Sequence, residues 1–139
     1  MRGRVLVDSN ILVDVFEDDP HWADWSIDQL EKLSSDNNLI INPIIYCEVS
    51  IAFDRIEDFE NAIEEADFRM ENIPKEALFL AGKVFLDYRR KSKSTKRSAL
   101  PDFFIGAHAA VAGIPLLTRD TKRYRTYFPK LSLICPTKN

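Results

Sequence analysis

The stretch Arg4–Phe16, RVLVDSNILVDVF, decides how the rest of the chain is read. Val5, Leu6 and Val7 form a short apolar, β-branched run of the kind that makes a buried strand. That run stops on Asp8, a carboxylate placed where the strand should emerge. Ser9 or Asn10 can then cap a helix reaching about Phe16. A buried strand that ends on a charge and turns directly into a helix is the opening half of a βαβ unit.

Working outward, Pro20 interrupts the chain, and Trp22, Trp25, Ile27, Leu30 and Leu33 recur at near-helical spacing over about 21–35. Leu39 to Ile41 form a second apolar strand. Asn42 and Pro43 lead into a helix over about 44–56, and Phe59, Ile63 and Ala66 mark a fourth, acidic-surfaced one. A weak third strand is expected at 69–73. Ala77, Leu80, Ala81, Val84, Phe85 and Tyr88 mark a long helix, followed by the basic stretch YRRKSKSTKRSALP, read as a polar loop. A sixth helix covers 101–112, with Pro101 suiting its first turn and Gly113 its C-terminal cap. Strands at 115–118 and 131–135 complete the chain. Alternation of short apolar strands and helices predicts right-handed crossovers and a mainly parallel sheet. With 139 residues, one domain over 1–139 is expected.

Composition narrows the class. Hydrophobic residues make up 45% and charged residues 29%, as in a globular protein. No apolar run approaches the ~20 residues of a membrane span, and the run after Arg2 and Arg4 is too short for a signal-peptide core, so a cytoplasmic location is expected. Cys47 and Cys135 are isolated and read as two buried thiols. The net charge of −3 conceals a polarity: residues 1–88 carry 20 acids and 7 bases, and residues 89–139 carry 2 acids and 12 bases. Such asymmetry points to a polyanionic partner.

The two acids in the basic half are Asp102 and Asp120. Asp102 opens an apolar helix in ALPDFFIGAHAAVAG, and Asp120 follows a short strand. Glu48 lies in the apolar PIIYCEVSIAF. Ligands of open parallel sheets sit beyond the carboxyl ends of the strands, and one such rim accommodates Asp8, Glu48, Asp102 and Asp120 together. Two carboxylates ~4 Å apart repel by about 4 kcal/mol at an effective dielectric near 20. A divalent cation relieves that repulsion, and all-oxygen ligands select Mg²⁺ or Mn²⁺. Asp8, Asp102 and Asp120 are the candidate ligands. Glu48 is a further ligand or holds an attacking water. Ser9, Asn10 and Thr118 are candidate hydrogen-bonding supports. Taken singly, each acid also reads as a cap, a turn residue or half of an ion pair, whereas Asp14, Asp18 and Asp19 read as surface or turn acids.

Arg89, Arg90 and Lys91 precede Asp102, and Arg119, Lys122 and Arg123 flank Asp120; these six are the candidate contacts to a nucleic-acid backbone. A charge run is also what a solvated loop looks like. Tyr124 and Tyr127 read as core residues or base-stacking platforms, and His108 as a packed or surface histidine.

Through VLVDSNILVD, NPIIYCEVS and LPDFFIGAHAAVAGIPLLTRD, the chain resembles the PIN-domain ribonucleases, especially the VapC-type toxins of prokaryotic toxin–antitoxin pairs. The family pattern's acids fall on Asp8, Glu48, Asp102 and Asp120, with Ser9, Asn10 and Thr118 as polar neighbours. The resemblance implies an α/β/α sandwich with a five-stranded parallel sheet and Mg²⁺- or Mn²⁺-dependent endonucleolytic cleavage of RNA. It further implies a homodimer and a cognate antitoxin. The rival readings are a nuclease-like module that binds RNA or protein without cutting, and an aspartyl-phosphate phosphotransfer or receiver domain. The phosphatase type requires a second Asp two residues after its nucleophile, where Asn10 stands.

Overall fold

The computed structural model describes residues 2–92 and 99–137. Five strands, β1 (Gly3–Val7), β2 (Asn37–Ile41), β3 (Phe68–Met70), β4 (Leu116–Leu117) and β5 (Leu133–Ile134), form one parallel sheet in the order β3-β2-β1-β4-β5. The helices among the described residues are α1 (Ser9–Phe16), α2 (Ala23–Ser34), α3 (Pro43–Ser50), α4 (Ile56–Glu65), α5 (Lys75–Ser92), α6 (Leu100–Ala112) and α7 (Lys122–Tyr127). The chain steps from β1 to β2 to β3 in one direction, then returns past β1 to β4 and β5. Right-handed crossovers therefore place α1–α4 on one face and α5–α7 on the other. Covered on both sides, the central strands are apolar toward their carboxyl ends: Val5, Leu6, Val7, Ile40, Ile41, Leu116 and Leu117 are all buried.

Strand order reverses between β1 and β4. The crevice beyond the carboxyl ends of two strands that diverge in this way is where an open sheet receives a ligand. Asp8 follows β1 and Thr118 follows β4, and the Asp8 amide donates to Leu117 O at 2.9 Å. The two expected strand-end positions are thus adjacent.

Several boundaries differ from the sequence reading. The helix expected over 44–56 ends at Ser50. The chain turns there, letting Phe53 pack edge-on against Phe16 (5.4 Å between ring centroids) and stack on Phe59 (4.9 Å). The start of the expected basic loop is helical, because α5 runs on to Ser92; residues 93–98, with Lys93, Lys96 and Arg97, lie outside the described residues. The third strand is short, Phe68–Met70. Helix α7 was not foreseen. Its KRYRTY sequence is mostly polar, and it is held through Tyr124 and the following Phe128, which are buried. Gly106 of α6 permits that docking, since a Cβ there would lie 2.5 Å from the Phe128 ring. Gly113 caps α6 in the left-handed conformation at φ 68°, as its position predicts. Cys47 is exposed and Cys135 half-buried, so neither is the buried thiol expected.

Candidate active site

Asp8 is the centre of the site. It is 3% exposed and is itself the N-cap of α1, a role the sequence reading gave to Ser9 or Asn10. Its Oδ1 accepts from the Ser9 amide at 2.7 Å, and its Oδ2 accepts from the Thr118 and Tyr124 hydroxyls, each at 2.9 Å. Three donors from two distant parts of the chain fix the carboxylate. Burial nonetheless dominates: desolvation pushes its pKa from 3.8 to about 6, the hydrogen bonds from Tyr124 and Thr118 pull it down, and the charge of Asp102 pushes it up again.

The other acids face the same crevice. Glu48, half-buried on α3, accepts from the Ser9 hydroxyl at 2.9 Å. Burial raises its pKa, and Asp102 adds to the rise. Asp102, in the first turn of α6, is raised by burial, lowered by the bond and charge of Arg123, and raised by Asp120. Asp120 is exposed at the mouth, its amide donating to Thr118 Oγ1 at 3.1 Å. Tyr124 is raised well above the ordinary tyrosine range by burial, then by Asp8, Asp102 and Glu48. The four carboxylates thus share one electrostatic neighbourhood. Thr118 links them from below: Asn10 Nδ2 donates to its hydroxyl at 3.2 Å, while the Arg119 amide reaches Asn10 Oδ1 at 3.4 Å.

Tyr124 is the core residue that its sequence context offered as one of two readings, but its hold on Asp8 was missed. It is 2% exposed, so it cannot stack on a base; it holds Asp8 instead. Asp14 was misread. It is 1% exposed, accepts the Ser26 hydroxyl at 3.0 Å, and makes a two-pronged ion pair with Arg119 at 2.8 and 3.0 Å. A signal was available: Asp14 lies three residues after the buried Ile11, on the inward face of α1. Arg119 also lies over the Trp22 ring, 5.3 Å from its centroid. Its guanidinium therefore ties α1 to the segment after β4. Asp19 behaves as a turn acid, accepting from the His21 and Trp22 amides. His108 is buried, its Nδ1 3.0 Å from the Asn42 side-chain nitrogen.

Arg123 lies in the site. Its guanidinium meets Asp102 Oδ2 at 2.7 Å and lies 5.8 Å from the Tyr88 ring centroid. Lys122 is exposed beside it. Arg89, Arg90 and Lys91 form the exposed last turn of α5, with Lys91 paired to Asp87 at 3.1 Å. Basic residues there also complement the helix dipole.

The model of the PIN domain matches residues 5–129. The chain belongs to the PIN-domain family. No curated protein is significantly similar in sequence. Among solved structures, VapBC2 from Rickettsia felis bound to a promoter DNA fragment superposes with a TM-score of 0.73 at 19% identity, covering 96% of this chain and 99% of that one. A toxin–antitoxin complex from Klebsiella pneumoniae gives 0.61 at 23% identity, covering 97% and 99%. FitAcB from Neisseria gonorrhoeae gives 0.67 at 16%, covering 94% and 96%. At these identities the likeness is one of fold, and it extends over nearly the whole PIN-domain chain.

The donor chemistry fits a hard divalent cation. Four carboxylates share this crevice, Arg123 is bonded to one of them, and burial chiefly raises Asp8, Glu48 and Asp102, with the charge of a neighbouring acid adding to each rise. Among the described residues no three acids, histidines or cysteines stand close enough to enclose a metal by themselves. Asp102 is drawn aside to Arg123, and Asp8 is fixed by its three donors.

Proposed function

We propose that this PIN-domain protein is a divalent-metal-dependent endoribonuclease, the toxin of a VapC-type toxin–antitoxin pair. The observation that carries this reading is the convergence of Asp8, Glu48, Asp102 and Asp120 beyond β1 and β4, around a buried carboxylate held by Ser9, Thr118 and Tyr124. Asp8, Asp102 and Asp120 would hold Mg²⁺ or Mn²⁺. Held by those residues, such a cation would supply Lewis acidity for a bound water and for the charge on the scissile phosphate.

The protein's own groups do the remainder. Ser9 fixes the Glu48 carboxylate, whose raised pKa suits it to hold the attacking water and accept its proton. Thr118 and Tyr124 hold Asp8 in one orientation. Lys122, Arg123 and the α5 cations Arg89, Arg90 and Lys91 draw the phosphate backbone toward the rim. The solved neighbour from Klebsiella pneumoniae, named as a toxin–antitoxin complex, supports a cognate antitoxin as partner. A homodimer and a cytoplasmic location belong to the same reading. No helix among the described residues is long and apolar enough to cross a membrane.

The test is purified protein, free of antitoxin, incubated with structured RNAs and Mg²⁺ or Mn²⁺. Cleavage should vanish with EDTA and with Asp8→Asn. Cleavage at the wild-type rate in Asp8→Asn would overturn the assignment.

A further inference from the structure

Helices α5 and α7 enclose a cleft of about 340 Å³ lined by Tyr88, Asp120, Lys122, Arg123, Thr126 and Tyr127. Its size is at the lower end of ~300–1,000 Å³ small-molecule sites. Its position is informative. Asp120 forms one end, and Arg123 bridges from the cleft to Asp102, so the cleft is continuous with the acids. Its chemistry is mixed in a particular way. The Tyr88 and Tyr127 rings meet edge to face, 5.8 Å apart at 73°, and Arg123 lies over Tyr88. Two aromatic surfaces, a planar guanidinium, a lysine and a hydroxyl stand within one small volume.

That combination is poorly suited to a purely apolar ligand, because Lys122, together with the part of Arg123 not bonded to Asp102, would lose hydration with nothing gained in return. It is equally ill suited to a bare anion, which would have no use for the rings and would meet the Asp120 carboxylate. A nucleotide satisfies each part. Because the two rings are nearly perpendicular, a flat base can lie face-on to one of them while touching the edge of the other. Arginine planes also stack on bases.

We propose that this cleft is a subsite for a single RNA nucleotide next to the scissile bond, with its base against Tyr127 and Tyr88 and its phosphate on Lys122 and Arg123. The proposal rests on the endoribonuclease reading for its substrate class and assigns the cleft the task of seating the strand beside the acids. Tyr88 and Tyr127 are then positioning residues.

The experiment uses the whole chain in EDTA, where cleavage plays no part. Uridine and adenosine 5′-monophosphate, ribose 5-phosphate and inorganic phosphate are titrated by NMR, following the amides of 120–127. The nucleotides should bind about tenfold or more tightly than ribose 5-phosphate. Thr126→Trp fills the cleft from an exposed position and should erase that advantage without lowering Tm. Tyr88→Leu should reduce it, and Tyr127→Phe should retain it. Equal binding of nucleotide and ribose 5-phosphate, or an unchanged advantage in Thr126→Trp, overturns the subsite. RNA cleavage without nucleotide preference would overturn the subsite and leave the nuclease intact. Nucleotide preference in a chain that does not cleave would do the reverse.

Discussion

Asp8→Asn should inactivate the protein and stabilise it at the same time. Asp8 is buried, and its folded-state pKa is raised from 3.8 to about 6. For a carboxyl group raised on folding, the native state binds the proton more tightly than the unfolded chain. Stability is therefore undiminished below pH ~4 and falls as pH rises to about 6, where native Asp8 ionises in turn. The difference of about 2 pKa units at ~1.36 kcal/mol each amounts to a cost of about 3 kcal/mol at neutral pH in the absence of metal. Asparagine removes the charge and keeps the shape. The Tyr124 hydroxyl can turn to accept from the new amide, whereas Thr118 Oγ1 already accepts from Asn10 Nδ2 and the Asp120 amide, so its own hydrogen turns to Asp120 O, 3.3 Å away. Part of the gain is offset, since the hydroxyl bonds to a charged acceptor are worth more than those to a neutral one. A net gain of about 1–3 kcal/mol is expected, a rise of several degrees in Tm for a chain of this length. The assay is thermal and urea denaturation of both proteins in EDTA across pH 4–8. The stability difference should open with rising pH and be nearly closed at pH 4. An Asp8→Asn protein less stable than wild type at pH 7.5, with the same deficit at pH 4, would refute the account of Asp8 as a desolvated charge.

Three further outcomes are expected. Tyr124→Phe removes a donor that lowers the Asp8 pKa; Asp8 should titrate higher, and Mn²⁺ affinity measured by calorimetry at pH 6.5 should fall about threefold or more, a hydrogen bond to a charge being worth ~1.5–3 kcal/mol. Arg119→Ala leaves Asp14 charged and unpaired in the core, so urea denaturation should show a loss of about 3–5 kcal/mol. Its RNA affinity, compared with wild type below the unfolding range, should be unchanged; a stable protein with weakened RNA binding would return Arg119 to the phosphate-binding set. Replacing Arg89, Arg90 and Lys91 by alanine should flatten the salt dependence of RNA binding by about 0.7 for each phosphate no longer neutralised, and an unaltered slope would relegate that turn of α5 to solvation.

The residues most legible in sequence were those that break a pattern. Asp8 and Glu48 are acids in apolar surroundings, and Asp102 opens a helix of buried side chains; such interruptions stand out without any knowledge of the tertiary structure. The parallel sheet was readable because double coverage leaves short continuous apolar runs, residues 5–7 and 39–41 among them. What escaped was what depends on distant partners. Helix α7 has too few turns to show a period, and its one buried tyrosine is explained only by a carboxylate 116 positions earlier. Arg119 lies in a basic run like its neighbours, and nothing local says that Asp14 claims it. The extent of α5 was missed because a charged last turn of a helix and a charged loop have the same composition.

The separations of 110 and 116 residues between Asp8 and its partners Thr118 and Tyr124 have a consequence during synthesis. A ribosome lays down β1 and Asp8 first and the supports of Asp8 more than a hundred residues later. Chains fold from the N-terminus as they emerge, and pairings of long separation come last. An unfinished chain that stops before residue 118 has Asp8 but neither hydroxyl that holds it, and it also lacks Asp120. The site appears only once its C-terminal supports have left the ribosome.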